Sequence, residues 1–118
     1  MSEPASVSPL AHVSADLHGV GSGPLRDAAL LSGLLIAAAG AAGLNASAAP
    51  VVRTGSGGGV SAILLLDPCH LSVHSLPDRG LALVDVLARD LAHATKALDV
   101  FVRRLAPASV NSETRMRG

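Results

Sequence analysis

Aromatic residues are almost missing from this chain of 118 residues, since Phe101 is the only one. Many proteins that bind single-stranded nucleic acid stack bases on aromatic side chains, and this sequence has no such set. There is also no excess of positive charge, because nine Lys and Arg residues are balanced by nine Asp and Glu residues. We therefore expect neither a nucleic acid nor an anionic membrane surface as a partner.

Cysteine is equally scarce, and Cys69 stands alone in the sequence. A single thiol forms no internal disulfide, so Cys69 is either a small buried hydrophobic residue or a reactive group. With no acidic cluster close by, Cys69, His70 and His74 are a poor set of zinc ligands. On an extended strand the two histidines point the same way but lie about 13 Å apart, so no metal site is predicted.

Charged residues are missing from residues 28–52, a segment long enough to span a membrane. The segment is mostly Ala, Gly and Ser, contains Asn45 and Pro50, and has neither an aromatic belt nor a bias of Lys and Arg towards one flank. A membrane span is therefore not predicted. The first 25 residues also lack the basic start and apolar core of a signal peptide, and we expect a cytoplasmic protein.

The chain length suits one domain. Residues 1–8 are small and polar and are expected to form a disordered tail, whereas residues 9–118 are expected to form a single domain. Alternating or aliphatic segments predict strands, and segments with helical periodicity predict helices. The predicted strands are residues 12–19, 48–54, 60–66, 70–76, 81–87 and 109–116, and the predicted helices run from Pro24 to about Leu44 and from Asp90 to just before Pro107.

This order of elements predicts an α+β fold. We expect a two-layer sandwich in which two helices cover one face of a mostly antiparallel sheet. The glycine-rich residues 55–59 lack the lysine of a phosphate-binding loop and are predicted to form a hairpin turn. In the strand at residues 70–76, alternation places His70 and His74 on the face opposite Leu71 and Val73.

Several segments together resemble one protein family. Residues 68–78, PCHLSVHSLPD, are similar to the segment Glu-Ser-His-Leu-Ser/Thr-Ile-His-Thr-Trp-Pro-Glu of the prokaryotic S-adenosylmethionine decarboxylase proenzymes. Residues 16–19, DLHG, resemble the family's Asp-Leu-Tyr-Gly, and residues 59–61, GVS, match its Gly-Val-Ser. Residues 82–86, ALVDV, resemble its Ala-Ala-Val-Asp-Val, so that the resemblance extends from about residue 9 to residue 118.

The resemblance implies a mechanism. Members of that family cut their own backbone before a serine, and elimination followed by hydrolysis leaves a pyruvoyl group that acts as the electron sink in decarboxylation. By position, Cys69 is the implied pyruvoyl precursor, and His74 and Ser61 are the residues that assist processing. Asp78 takes the place of a glutamate and is a candidate for binding the substrate. The family's product feeds polyamine synthesis.

The chain departs from the family pattern at three positions. Cys69 replaces the serine, Pro68 replaces the glutamate before it, and Arg89 replaces a cysteine expected to donate a proton. A thiolate is a stronger nucleophile than an alcohol, so cleavage before Cys69 is chemically feasible. A guanidinium stays charged and is a poor proton donor, but Arg89 can hold a carboxylate. Leu76 and Arg79 stand where the family has aromatic residues, which favours a smaller amino acid over one carrying adenine.

Three hypotheses follow. The first, favoured by the resemblance, is a self-processing pyruvoyl-dependent decarboxylase of S-adenosylmethionine in spermidine biosynthesis, or of another amino acid. The second is a non-processing relative that binds a ligand or regulates an active paralogue in a heteromer. The third is a small structural domain with a buried thiol. The first hypothesis implies a small-molecule substrate and, as in the family, a homodimer.

Overall fold

Six strands form one antiparallel sheet in the computed structural model, which describes residues 9–118. The predicted tail, residues 1–8, lies outside the described residues. The strands are β1 Leu10–His18, β2 Val51–Thr54, β3 Val60–Leu65, β4 His70–Leu76, β5 Leu81–Ala88 and β6 Ser109–Arg117. Across the sheet they follow the order β2-β3-β4-β5-β1-β6, and every neighbouring pair is antiparallel.

The first predicted helix is in fact two helices, α1 Ser22–Leu25 and α2 Ala28–Ala41. The break falls at Asp27, whose extended backbone and carboxylate cap the start of α2 by accepting a hydrogen bond from the Leu30 N–H at 2.9 Å. The helix ends before Leu44, where the sequence had placed its end, because Gly43 turns the chain with a φ of +67°.

The third helix, α3 Leu91–Leu105, has the predicted boundaries. Asp90 caps its start by accepting a hydrogen bond from the His93 N–H at 2.9 Å. It packs on β1 and β5, while α2 packs on β3 and β4, so the helices cover one face of the sheet. Phe101 of α3 is fully buried in the layer between them. The predicted two-layer α+β sandwich is confirmed.

The glycine-rich residues 55–59 join β2 to β3 as a hairpin connection, as predicted. Gly57 and Gly58 have φ values of +79° and +82°, a region that glycine adopts without strain. Strand β2 is shorter than predicted and begins at Val51 rather than at residue 48. Pro50 precedes it and has no N–H to donate to the sheet.

The two faces of the sheet differ in what covers them. One face lies under the helices and buries Val13, Val73 and Val84. The other carries no layer within residues 9–118, and we call it the open face. Alternation places on it the side chains of His12, Ser14, Ser61, Ile63, Leu65, His70, Ser72, His74, Leu83 and Asp85, which includes both histidines predicted to share a face.

Helix α2 occupies most of the uncharged segment at residues 28–52, but it has only 14 residues. Across the described part of the chain, no helix is long and apolar enough to cross a membrane.

Candidate active site

Ser61 and His74 meet on the open face. They are direct partners in the antiparallel register of β3 and β4. The Ser61 Oγ and the His74 Nδ1 are 2.8 Å apart, a hydrogen-bonding distance. Both residues are exposed, so the pair is accessible from outside the chain. Such a pair can pass a proton between a hydroxyl and an imidazole, as expected of residues that assist processing.

Cys69 lies in the turn between β3 and β4. Its φ is +85°, a region that a residue with a Cβ adopts only under strain. The turn is closed by a hydrogen bond of 2.9 Å from the Leu66 N–H to the Cys69 carbonyl oxygen. The residue is only half-buried. A strained backbone and a reachable thiol distinguish Cys69 from an inert cysteine packed in a core.

The charge of Arg89 acts on this thiol. Burial raises the pKa of Cys69, and the positive charge of Arg89 partly offsets that rise. Arg89 directly follows β5, whose register with β4 pairs Leu87 with His70 and so brings Arg89 to the end of the sheet that holds Cys69. Because burial outweighs the charge, the thiol of Cys69 is protonated at neutral pH.

Within one chain the Ser61–His74 pair does not reach Cys69. His74 lies five residues further along, and β4 runs extended from His70. At roughly 3.3 Å per residue, the separation is about 16 Å. The structure therefore brings Ser61 to His74, and Arg89 to Cys69, but keeps the two pairs apart.

Asp78 belongs to a third location. It lies in the helical turn Pro77–Arg79 that follows β4, and its side chain is 87% exposed. Its carboxylate accepts a hydrogen bond from the Arg26 Nη2 at 3.1 Å. Arg26 also donates to the carbonyl oxygen of Gly57, which ties the glycine-rich hairpin to this turn. Together they border a cavity of about 300 Å³.

A cluster centred on Asp85 was not predicted from the sequence. The Asp85 Oδ1 lies 2.8 Å from the His12 Nε2, and its Oδ2 lies 3.0 Å from the His70 Nε2. Ser14 donates a hydrogen bond of 3.2 Å to the same Oδ1. Burial alone would raise the pKa of Asp85, but hydrogen bonds from His70 and His12 outweigh burial and hold the pKa below its ordinary value. Asp85 is therefore a carboxylate at neutral pH.

Arg117 extends this cluster from the edge strand. Its Nη1 lies 3.2 Å from the His12 Nδ1, and a guanidinium can only donate. One local signal pointed to the cluster, because Asp85 is the only charged residue in the aliphatic strand β5. Its partners come from other strands, so the sequence could not show which residues it contacts.

Among residues 9–118 no three His, Cys, Asp or Glu side chains are arranged to hold a metal ion. The pyruvoyl group that the resemblance implies would be made from the chain itself, at residue 69. A half-buried nucleophile on a strained backbone fits that origin.

Comparison with known proteins places this arrangement in a family. The profile described as S-adenosylmethionine decarboxylase matches residues 11–118. The arginine decarboxylase proenzyme of Hyperthermus butylicus is 37% identical over 98 residues, which cover 81% of this chain and 69% of that protein. The S-adenosylmethionine decarboxylase proenzyme of Pyrobaculum aerophilum is 33% identical over 100 residues, or 84% of this chain and 80% of that protein.

A solved structure agrees with the sequence comparisons. The crystal structure of the adenosylmethionine decarboxylase from Aquifex aeolicus matches with a TM-score of 0.88 and 28% identity, over 96% of this chain and 93% of that one. The fold therefore extends over almost the whole length of both proteins. With the family profile matched over all but the first ten residues, this chain belongs to the S-adenosylmethionine decarboxylase family.

Proposed function

We propose that this protein is a proenzyme that cuts its own backbone between Pro68 and Cys69 and then decarboxylates S-adenosylmethionine for polyamine biosynthesis. The observation that carries the proposal is the state of Cys69, which occupies the position of the pyruvoyl precursor. It combines a φ of +85°, a half-buried thiol and the nearby charge of Arg89. Cleavage of the peptide bond before Cys69 would release its backbone strain.

The cleavage chemistry balances with a thiol as nucleophile. The Cys69 Sγ attacks the carbonyl carbon of Pro68, the peptide C–N bond breaks, and the thiol proton passes to the released amine. Removal of the Cα proton of Cys69 then breaks its Cβ–S bond and leaves a thiocarboxylate on Pro68. Hydrolysis of the resulting dehydroalanine releases ammonia and leaves a pyruvoyl group before His70.

Bound substrate would be held by charges already present in this chain. The pyruvoyl group supplies a ketone that takes up the substrate amine and accepts electrons during decarboxylation. Arg89 carries a permanent positive charge close to residue 69 and can hold the substrate carboxylate. Asp78 can bind an amine or a ribose hydroxyl once its exposed ion pair with Arg26 opens.

A second copy of the chain would account for the distance between Cys69 and the Ser61–His74 pair. Sheets that stack face to face lie roughly 10 Å apart, which is less than the separation of about 16 Å within one chain. The sheet also exposes apolar side chains that a partner would cover, namely Val51, Ile63 and Leu65 at 59%, 36% and 51% exposure. We therefore propose a homodimer with His74 and Ser61 acting across the interface.

An intact mass spectrum under denaturing conditions tests the proposal. The wild-type chain of 11.7 kDa should give two fragments, the second beginning with a pyruvoyl group in place of Cys69. Cys69→Ala should remain one chain, whereas Cys69→Ser should be cut because a hydroxyl supports the same acyl shift. Acid breakage between Asp67 and Pro68 is recognised by its shift of one residue.

Two results would contradict the proposal. A wild-type chain that stays intact would favour the non-processing relative, which binds a ligand or a paralogue. A second fragment that begins with an unmodified cysteine would mean that the thioester is hydrolysed before elimination. In both cases no ketone forms at residue 69.

Arginine is a second candidate substrate. The relative from Hyperthermus butylicus, 37% identical to this chain, is named an arginine decarboxylase proenzyme. In this chain Leu76 and Arg79 stand where the resemblance places aromatic residues, so neither offers a ring for adenine to stack on. Release of labelled CO₂ from carboxyl-labelled S-adenosylmethionine and from carboxyl-labelled arginine, each with the processed protein, separates the two substrates.

A further inference from the structure

Decarboxylation requires a proton donor next to residue 69. When CO₂ leaves, an electron pair remains on the substrate α-carbon, and that carbon must then be protonated. Arg89 is the residue whose charge acts on Cys69. A guanidinium does not release a proton near neutral pH, so Arg89 is not a suitable donor. This inference rests on the proposed function, since it concerns the same site.

His70 has the required location. It directly follows Cys69, and the Cα atoms of neighbouring residues are about 3.8 Å apart. Its imidazole points to the open face, where its side chain is 32% exposed and accessible to a small molecule. Its Nε2 is held by Asp85 at 3.0 Å, and no hydrogen-bond partner of its Nδ1 is found among residues 9–118.

Both ring nitrogens of His12 have hydrogen-bond partners, whereas His70 has a partner among residues 9–118 only at its Nε2. Hydrogen bonds keep Asp85 ionised, as its lowered pKa indicates. Arg117 donates to the His12 Nδ1, so the proton of His12 resides on Nε2 and is directed at Asp85. Arg115, the register partner of His12 on β6, is permanently charged.

We propose that the His70 Nδ1 donates the proton taken up by the substrate α-carbon, and that Asp85 positions the imidazole for this transfer. The bond from the α-carbon to the carboxylate breaks, and CO₂ leaves without its bonding electrons. The His70 N–H bond then breaks as a C–H bond forms on the substrate, and His70 takes a new proton from water. Asp85 is a positioning residue because it acts through His70.

The test uses His70→Gln, Asp85→Asn and the matched control His93→Gln in the full-length protein. His93 lies on α3, where its imidazole contacts Asp90 on the helical side of the fold. Each protein is first checked by mass for cleavage before residue 69, and then supplied separately with labelled S-adenosylmethionine and labelled arginine. CO₂ release is recorded from pH 5 to 9. The mass of the second fragment is measured after turnover, because it shows which group stands at the N-terminus.

The mass of the second fragment shows whether the proton has reached the substrate α-carbon or the former ketone carbon of the chain. A proton that reaches the former ketone carbon of the chain leaves an N-terminal alanine there and releases the substrate as an aldehyde. We expect His70→Gln to be cut normally, to lose roughly 10²–10⁴-fold in the rate of CO₂ release, and to accumulate alanine per turnover. Any part of the wild-type pH profile of CO₂ release that depends on His70 should be absent from this variant. Asp85→Asn should show a smaller loss and the same rise in alanine, and His93→Gln should match the wild type.

The outcomes separate the two proposals. If the His70→Gln protein is cut, releases CO₂ at the wild-type rate and accumulates no extra alanine, the inference is wrong and the proposed function stands. If His70→Gln does not fold, an Asp85→Asn protein with the wild-type pH profile and alanine fraction overturns the inference. If the wild-type chain itself is never cut, the proposed function is wrong and the inference fails with it.

Discussion

At the scale of a single residue, the proposed rate of self-cleavage depends on how much of Cys69 is in the thiolate form. Thiolate is the attacking form. As long as the pH is below the thiol pKa, the thiolate fraction grows about tenfold for each unit by which the pH rises. Burial raises the pKa of Cys69 above the ordinary value of a cysteine, and Arg89 partly offsets the rise. Cleavage is therefore expected to be slow at neutral pH and to speed up in alkaline solution.

We predict that the rate of cleavage before Cys69 rises from pH 7 and is still rising above about pH 8.5, the ordinary value for a free cysteine. Arg89→Gln removes the charge that lowers the pKa, so the profile should move to higher pH and cleavage at pH 7.5 should slow. The rate is measured by the mass of the fragments over time. Arg104→Gln, an exposed position on α3, is the matched control. Identical profiles for the two variants would contradict this account.

At the scale of elements, Ser75 joins three segments through one hydroxyl. It is a buried residue of β4 on the helix-covered face, with 6% of its surface exposed. Its Oγ donates to the carbonyl oxygen of Leu25 in α1 at 2.6 Å and accepts from the Val60 N–H of β3 at 2.8 Å. The one-turn helix α1 is thus held to the sheet by a polar contact that alternation alone does not reveal.

Replacing Ser75 by alanine should lower the free energy of unfolding by about 1–3 kcal/mol, because two buried backbone groups lose their partner. Urea unfolding of the uncut Cys69→Ala protein measures the change without interference from cleavage. Ser112→Ala, at an exposed position of β6, is the control and should stay within about 0.5 kcal/mol. Equal midpoints for the two serine variants would show that the Ser75 hydroxyl does not stabilise the fold.

At the scale of the whole molecule, the sheet has one face under helices and one face without a covering layer among residues 9–118. The open face carries both the Ser61–His74 pair and the Asp85 cluster. Apolar side chains such as Ile63 lie beside them. A second copy of the chain placed there would bury these apolar groups and bring together residues that one chain keeps apart.

We predict that the wild-type protein sediments as a dimer and that Ile63→Glu shifts it to a monomer, because a carboxylate would be buried without a partner. Leu91→Glu, at an exposed site on α3, is the control and should remain dimeric.

Mixing Cys69→Ala with His74→Gln should restore cleavage of the His74→Gln chain if His74 acts across the interface. Two uncut chains in a mixed dimer would refute action across the interface.

How much of the site could be predicted differs from residue to residue. Pairing of Ser61 with His74 agrees with the roles implied by the resemblance, but their contact depends on the register of two strands. The resemblance points to Cys69 by its position, whereas its positive φ arises from the turn that joins β3 to β4. Asp85 was visible only as a charge within an aliphatic strand, and its partners His12 and His70 lie 73 and 15 residues away.

The sequence by itself determined the fold class and the approximate positions of the six strands and of α3. Alternation, helical periodicity and the cap at Asp90 are local signals, since they act between residues a few positions apart. Only the tertiary structure decided that β1 lies between β5 and β6, which brings His12 to Asp85 and Arg117 to His12. The reason is physical, because strand order depends on how the whole core packs, and no local pattern encodes which strands become neighbours.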